Sequence, residues 1–394
     1  MLDTPTTRER LYFADWLRIA AFGLLVLYHV GMLYVPWGFH IKHSPTYAAL
    51  EPWMRLTNPW RMSLLFVVSG LASGMMLGRE DLLRERAKRL LLPLVFGMAV
   101  VVPTQSYFEV QEKLGYAGSY LDFLHLYLTG YHGFCKGTDC LRLPTWNHLW
   151  FLPYLFIYTA LLVAALRWLP KALLPRAASA LARLAGWRLI VWPVAIIGLV
   201  RVLLLPRFGD THALIDDWFN HVTYGAMFAF GVVLARRRVL LERFEALRWP
   251  ALGAALAAWA ALCVYFAVTR NWPEVPELFR LPMRLVFASE QWCAIVAAFG
   301  FARRHLDADH RWRKPLTEAV FPLYIVHQTI IIGGAVALRP LALPAGAEAL
   351  LLVTLTFACG LASWLFARRV GWLRPWMGMN AIRRPARASR PLPA

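Results

Sequence analysis

Arg18 and His29 lie eleven positions apart within one apolar run, RLYFADWLRIAAFGLLVLYHVGMLYVPW at 10–37. At about 100° per residue this spacing comes close to three full helical turns, so the two share one face, roughly 16 Å apart along the axis. An ionisable side chain at membrane depth is costly unless it meets protein or a watery cavity, which makes both residues candidates for function. A permanent guanidinium cation suits a phosphate or a carboxylate. A neutral imidazole can take and return a proton near neutral pH. Together they describe a polar channel down one side of a helix, compatible with a pump, a channel or an enzyme.

Further ionisable residues interrupt other apolar runs. Arg61 opens NPWRMSLLFVVSGLASGMML, Glu290 lies in RLVFASEQWCAIV, and His327 stands at mid-depth in FPLYIVHQTIII with Gln328 beside it. His148 and Trp150 sit in WNHLWFLPYLFIY, at the edge of a run. Each also has a plain structural reading. Arg61 can snorkel to headgroups, membrane histidines can hydrogen-bond between helices, and Trp150 fits an interfacial aromatic belt. A buried carboxylate such as Glu290 needs a partner or a proton. Ser69, Gly70, Ser73 and Gly74 place small residues at i and i+4, the pattern of close helix packing. In REDLLRERAKRLLLPLVFGM, Arg84, Arg86, Lys88 and Arg89 form the kind of basic run that fixes topology. Arg86 and Arg89, three apart on one face at the membrane boundary, can also grip phosphate.

The elements that must position these residues follow from composition. A chain of 394 residues that is 59% hydrophobic, 16% charged and has a mean hydropathy of +0.48 is too apolar for a soluble globular protein. Its net charge of +19 does not point to nucleic acid, because the basic residues fall in short runs between apolar stretches. The 18 Trp and 14 Tyr fit interfacial belts better than base-stacking platforms. Runs long enough to span a bilayer occur near 16–37, 59–77, 90–108, 148–169, 189–206, 217–235, 249–269, 283–302, 316–338 and 347–366. About two-thirds of the 42 Lys and Arg fall in alternate connections when the N-terminus is placed inside. The expectation is an all-α polytopic membrane protein of about ten transmembrane helices with both termini cytoplasmic. Residues 1–366 would form the membrane domain, and 367–394 a basic, disordered tail drawn to anionic lipid headgroups. The first apolar run lacks a small-residue cleavage site, so no cleaved signal peptide is expected. No internal repeat is evident, which weakens an inverted-repeat transporter reading.

The longest connections are 38–58, with His40, His43 and Glu51, and 109–147. Cys135 and Cys140 flank a Gly in the polar CKGTDC of the second, where a small disulfide is expected if the loop is extracytoplasmic. A zinc site with His132 and His148 is the lesser alternative, since the spacing matches zinc modules poorly. No metal is expected.

Taken together, these pieces resemble the membrane-bound acyltransferase 3 family, and within it the branch of glucan biosynthesis protein C. The resemblance covers Trp16 to about His327. Its most specific element is Arg-x10-His, matched by Arg18 and His29. Supporting matches in the family's order are WRMSLLFVVSG at 60–70, RERAKRLLLP at 84–93, HLWFLPYLF at 148–156 and FPLYIVHQT at 321–329.

The resemblance implies an O-acyltransferase of the bacterial inner membrane. Such an enzyme moves an acetyl or succinyl group from cytoplasmic acyl-CoA to a hydroxyl of an extracytoplasmic polysaccharide or glucan. On that reading Arg18, Arg86, Arg89, Ser69 and Trp150 hold the donor, and His29 is either the general base or the nucleophile of a covalent acyl-histidine relay. Glu290 or His327 orients or recharges His29, while Arg61 or His148 engages the acceptor or a carboxylated acyl group. The partners are then acyl-CoA, the glycan and membrane lipid, with no nucleic acid. On composition alone a transporter or flippase for a sugar- or lipid-linked substrate suits the same buried charges. The two differ in whether the substrate is covalently changed.

Overall fold

Each of the ten apolar segments becomes a helix in the computed structural model, which describes residues 11–380. They are α1 (Tyr12–Tyr34), α2 (Arg61–Met75), α3 (Leu82–Leu114), α4 (Phe151–Trp168), α5 (Arg188–Phe208), α6 (Trp218–Leu234), α7 (Arg238–Thr269), α8 (Glu277–Leu306), α9 (Arg313–Leu338) and α10 (Ala345–Arg369). Among the described residues, eight are long and apolar enough to cross a membrane, and α2 and α6 are the two that are not. The expected all-α polytopic architecture is present, with eight helices of full spanning length and two shorter ones among the ten expected segments. At 15 residues α2 reaches about 22 Å, short of a hydrocarbon core of roughly 30 Å.

The two short helices pack on each other through glycine. A Cβ on Gly70 would strike the backbone carbonyl of Phe228, and one on Gly231 would strike that of Val67. The small-residue pattern at 69–74 thus serves close helix approach, as its plain reading expects.

The first helix sits within the bundle, packed against α2, α8, α9 and α10. The third is broken by a π turn at Gly97–Val101, which ends two residues before Pro103 in the helix that follows. The hydroxyl of Thr329 donates to the Val101 carbonyl at 2.9 Å, satisfying backbone that the irregular turn displaces. This turn sets the direction of Gln105, whose side chain is fully buried at the centre of a polar network.

Both described ends of the chain lie at one face. Arg313 at the start of α9 pairs with Asp15 in the first turn of α1 at 2.5 Å. Glu318, one turn further along, pairs with Arg368 at 3.6 Å and Arg374 at 2.9 Å. The segment expected to be a free tail from 367 is not free at its start. Helix α10 runs on to Arg369, and Leu373, Met377 and Met379 are buried against Val101, Ile325 and Trp364. The remainder of that tail, from 381, lies outside the described residues.

At the opposite face a short helix, Glu51–Arg55, follows the 38–50 loop, and another, Tyr120–Leu128, starts on a capping box between Ser119 and Asp122. Cys135–Lys136 and Asp139–Cys140 form a small antiparallel hairpin closed by a Cys135–Cys140 disulfide. The disulfide consumes both thiols, so the zinc alternative loses two of its four ligands.

Candidate active site

Two cavities open along α1, one at Arg18 and one at His29. The first, about 520 Å³, is lined by Asp15, Arg18, Arg89, Lys314, Thr317, Glu318, Arg368 and Asn380. Its walls come from α1, α3, α9 and α10, and among the charged residues lining it the cations Arg18, Arg89, Lys314 and Arg368 outnumber the carboxylates Asp15 and Glu318. Arg18 stands 3.6 Å from Asp15, which keeps its guanidinium at the cavity edge.

The second cavity, about 210 Å³, brings together Tyr28, His29, Arg61, His148, Trp150, Arg201, Asp210, His212, Tyr224, Gln291 and Tyr324 among others. The two cavities share no lining residue. Phe22 and Leu25, both buried, lie between Arg18 and His29 on the same face of the helix. Phe22 meets the ring of Tyr324 edge-on at 5.2 Å. The polar stripe expected from Arg18 to His29 is therefore interrupted by an apolar plug.

His29 is held by His327. The Nδ1 of His327 lies 2.7 Å from the carbonyl oxygen of Tyr324, which can only accept. That nitrogen therefore carries the proton, and the Nε2 of His327 presents a lone pair. Nε2 stands 3.0 Å from Nδ1 of His29, so His29 donates there. By elimination the Nε2 of His29 is the unprotonated, basic nitrogen. A backbone carbonyl thus sets the tautomer of one histidine, which sets that of the next.

His148 is arranged differently. Its Nε2 donates to the Ile325 carbonyl at 3.0 Å, and its Nδ1 accepts from Gln105 at 3.3 Å. With both nitrogens engaged by protein, His148 forms part of the wall and has none to offer a substrate. Gln105 also donates to Thr329 at 2.7 Å and accepts from Asn147 and Gln328, both at 3.1 Å. Gln328 continues to Nε2 of His40 at 2.8 Å, and Nδ1 of His40 donates to Glu109 at 2.5 Å. The network is fully satisfied, which rigidifies the frame behind the dyad.

Arg61 is 4% exposed. Its guanidinium lies 3.7 Å over the ring of Tyr28 and donates to Thr57 at 3.4 Å. Trp150 lines the same cavity, with His212 packed on its ring at 3.9 Å. In the loop that carries it, burial holds the His212 imidazole below its ordinary value despite the nearby carboxylates of Asp210 and Asp217.

Several expected site residues fall elsewhere. Arg86 donates to the Ser73 hydroxyl at 3.0 Å, and Ser73 in turn donates to the carbonyl of Ser69 at 2.9 Å. Arg86 thus ties α3 to α2, and Ser69 lines neither cavity, whereas Arg89 reaches the basic one. Trp150 stands beside His29 and not among the basic residues expected to hold a donor's phosphates. Glu290 is 1% exposed and neither of its carboxylate oxygens has a hydrogen-bond partner. It is Gln291, the next residue, that lines the His29 cavity, where it donates to Ser63 at 2.7 Å. A shift of one helical position turns Glu290 away from His29, which corrects its assignment as orienter.

Sequence reasoning missed Gln105, Asn147, Arg201 and Asp210. Gln105 and Arg201 carried a readable signal, a polar residue inside an apolar run. Asn147 and Asp210 lie in loops, where polar residues are unremarked.

The family model described as an acyltransferase domain matches residues 11–368. The chain is 24% identical over 347 residues to glucans biosynthesis protein C of Salmonella gallinarum, a span that covers 84% of each. The protein of the same name from Salmonella agona is equally similar over the same coverage. No solved structure matches the chain. With a match running from the start of α1 to the end of α10, the chain belongs to the acyltransferase 3 family and is a multi-pass membrane acyltransferase.

Proposed function

We propose that this enzyme transfers an acetyl or succinyl group from acyl-CoA in the cytoplasm to a hydroxyl of an extracytoplasmic glycan, working in the bacterial inner membrane. The observation that carries the reading is the His29–His327 pair, which leaves one basic nitrogen on His29 at a cavity wall. The positive-inside bias assigns the basic face, with Arg18, to the cytoplasm. Arg18 and Arg89, joined by Lys314 and Arg368, then supply the cations for the phosphates of CoA. A pantetheine arm is of similar length to the roughly 16 Å between Arg18 and His29.

In the reaction the Nε2 of His29 removes the proton of the acceptor hydroxyl as its oxygen attacks the thioester carbon. The positive charge that develops on His29 is shared through Nδ1–H with the lone pair of His327. Collapse of the tetrahedral adduct breaks the C–S bond, and His29 returns the proton to the departing thiolate. An alcohol and a thioester become an ester and a thiol, with no proton gained or lost. A transporter or flippase needs no such base, and would move its substrate without forming an ester.

The test is mass spectrometry of surface and periplasmic glycans from cells with and without the protein, and from cells carrying His29→Ala. Acyl esters should be present only with the wild-type chain. Unchanged esters in the His29→Ala cells would reject the assignment.

A further inference from the structure

A third cavity, of about 500 Å³, lies at the face opposite the basic one. The 38–47 loop, the end of α9 and the start of α10 line it, together with Leu33 of α1. It shares no lining residue with the His29 cavity. Leu33 stands one turn beyond His29, about 6 Å along the helix axis. A single loop touches both places. Its Phe39 stacks on the His29 ring at 6.2 Å, and its Lys42, His43, Ser44 and Tyr47 line the outer cavity.

The charges of this cavity are balanced and already partnered. Two cations, Lys42 and Arg339, stand against two carboxylates, Glu112 and Glu348. The Lys42 ammonium donates to the Met32 and Val35 carbonyls at 2.6 and 2.7 Å. Arg339 pairs with Glu112 at 3.0 Å, and Glu348, 7% exposed, with Nδ1 of His43 at 2.8 Å. The basic cavity has cations in excess and attracts an anion. Here no charge is left over for one. What the outer cavity offers is spare hydrogen-bonding capacity at fixed positions. A carboxylate has about four acceptor positions, of which His43 takes one on Glu348, and Ser44 and Tyr47 carry hydroxyls. Leu33, Ile41 and Leu338 add apolar wall, and the exposed Tyr47 ring stacks on that of His43 at 6.1 Å. At about 500 Å³, against about 210 Å³ beside His29, the space falls within the roughly 300–1,000 Å³ of pockets that enclose a ligand.

Hydroxyl edges and apolar C–H faces in one uncharged ligand describe a sugar. Resting on the function proposed above, this cavity lies on the side from which the acceptor glycan arrives. The hydroxyl that reacts has to reach His29, so a sugar seated in a separate cavity is a neighbour of the acylated one along the chain. We infer that the outer cavity is a second glycan subsite, which binds an uncharged stretch of the acceptor beside the sugar that is acylated. The enzyme therefore selects oligosaccharides over single sugars.

The experiment compares glucose with a neutral glucan tetrasaccharide as acceptors. The full-length protein in detergent is supplied with acetyl-CoA and succinyl-CoA in turn, and ester formation is followed. Wild type should show a KM about ten- to a hundred-fold lower for the tetrasaccharide, the range expected of hydrogen bonds to charged groups. Tyr47→Ala should reduce that advantage about three- to tenfold, through a higher tetrasaccharide KM and not a lower kcat. Glu348→Gln, of the same shape, should reduce it about tenfold or more in the same way. A tetragalacturonate, anionic at every sugar, should not compete with the neutral tetrasaccharide at equal concentration. Equal KM for glucose and the tetrasaccharide overturns the inference and leaves the acyltransferase proposal standing. So does effective competition by the galacturonate, which would show that the subsite does not require an uncharged chain. So do variants that lower kcat for both acceptors alike, since the two residues would then act only on structure. Acylation of neither acceptor overturns the glycan-acceptor proposal and this inference with it.

Discussion

The Nε2 of His327 stands 3.0 Å from the Nδ1 of His29, and the Tyr324 carbonyl at 2.7 Å from the far side of His327 decides which of the two donates. An acid–base histidine is usually steadied by a carboxylate. Here the partner is a second neutral imidazole, so the pair carries no charge until a proton arrives. His29→Ala should reduce acyl transfer by about 10²–10⁴-fold, the usual scale for a positioned base. His327→Ala should cost roughly 10–10²-fold in kcat with little change in KM, because it frees the tautomer of His29 without removing the base. Steady-state kinetics with the purified enzyme separate the two. Equal losses in kcat and affinity for His327→Ala would mean that it only supports packing.

Phe22 and Leu25 fill the face of α1 between the two cavities. Leu25→Trp should therefore leave CoA binding at the Arg18 end unchanged and lower acyl transfer at least about tenfold, since overpacking resists displacement. Calorimetric titration with CoA and a transfer assay on the same preparation check both halves. Wild-type turnover in this variant would place the donor's route elsewhere.

Gly231 admits the backbone of α2 at Val67 with no room for a side chain. Gly231→Leu should destabilise the protein by about 1–3 kcal/mol or more, the scale of overpacking, seen as a lower thermal midpoint in detergent. Gly253 on α7, whose Cβ would meet no atom within 4 Å, is the matched control, and Gly253→Leu should leave the midpoint near wild type.

Lys42 gives a pH dependence. Burial, with repulsion from Lys113 a smaller cause, pushes its ammonium down to about 8 from its ordinary 10.5. The unfolded chain binds this proton more tightly than the folded one between those values, so stability from this residue rises as pH increases from about 8 toward 10.5. Thermal midpoints of wild type minus those of Lys42→Met should therefore increase across that window. A flat difference would show that Lys42 is fully solvated.

Much of this was legible in the chain. The ten helices were visible because apolar runs of about 20 residues separated by basic punctuation have few other readings. Arg18 and His29 were visible because charge at membrane depth is rare. The Glu290 assignment failed because periodicity gives a depth but not the azimuth that packing selects, and one residue of rotation gave the cavity to Gln291 instead. Arg86 and Arg89 share a helical face, yet only Arg89 reaches the basic cavity, since Ser73 on a neighbouring helix takes the other. The network around Gln105 depends on the π turn at Gly97–Val101, and such a turn leaves little trace in a hydrophobicity pattern.

The apolar plug between Arg18 and His29 has a consequence for the cell. A catalyst that meets one reactant on each side of an energised membrane risks becoming a leak. Buried Phe22 and Leu25 insulate the two wet pockets from each other, so protons and ions find no continuous path along α1. A thin tethered chain that parts these side chains as it enters needs only local side-chain motion, with no swing of whole domains. On the function proposed above, these two side chains would keep the membrane potential intact through each turnover.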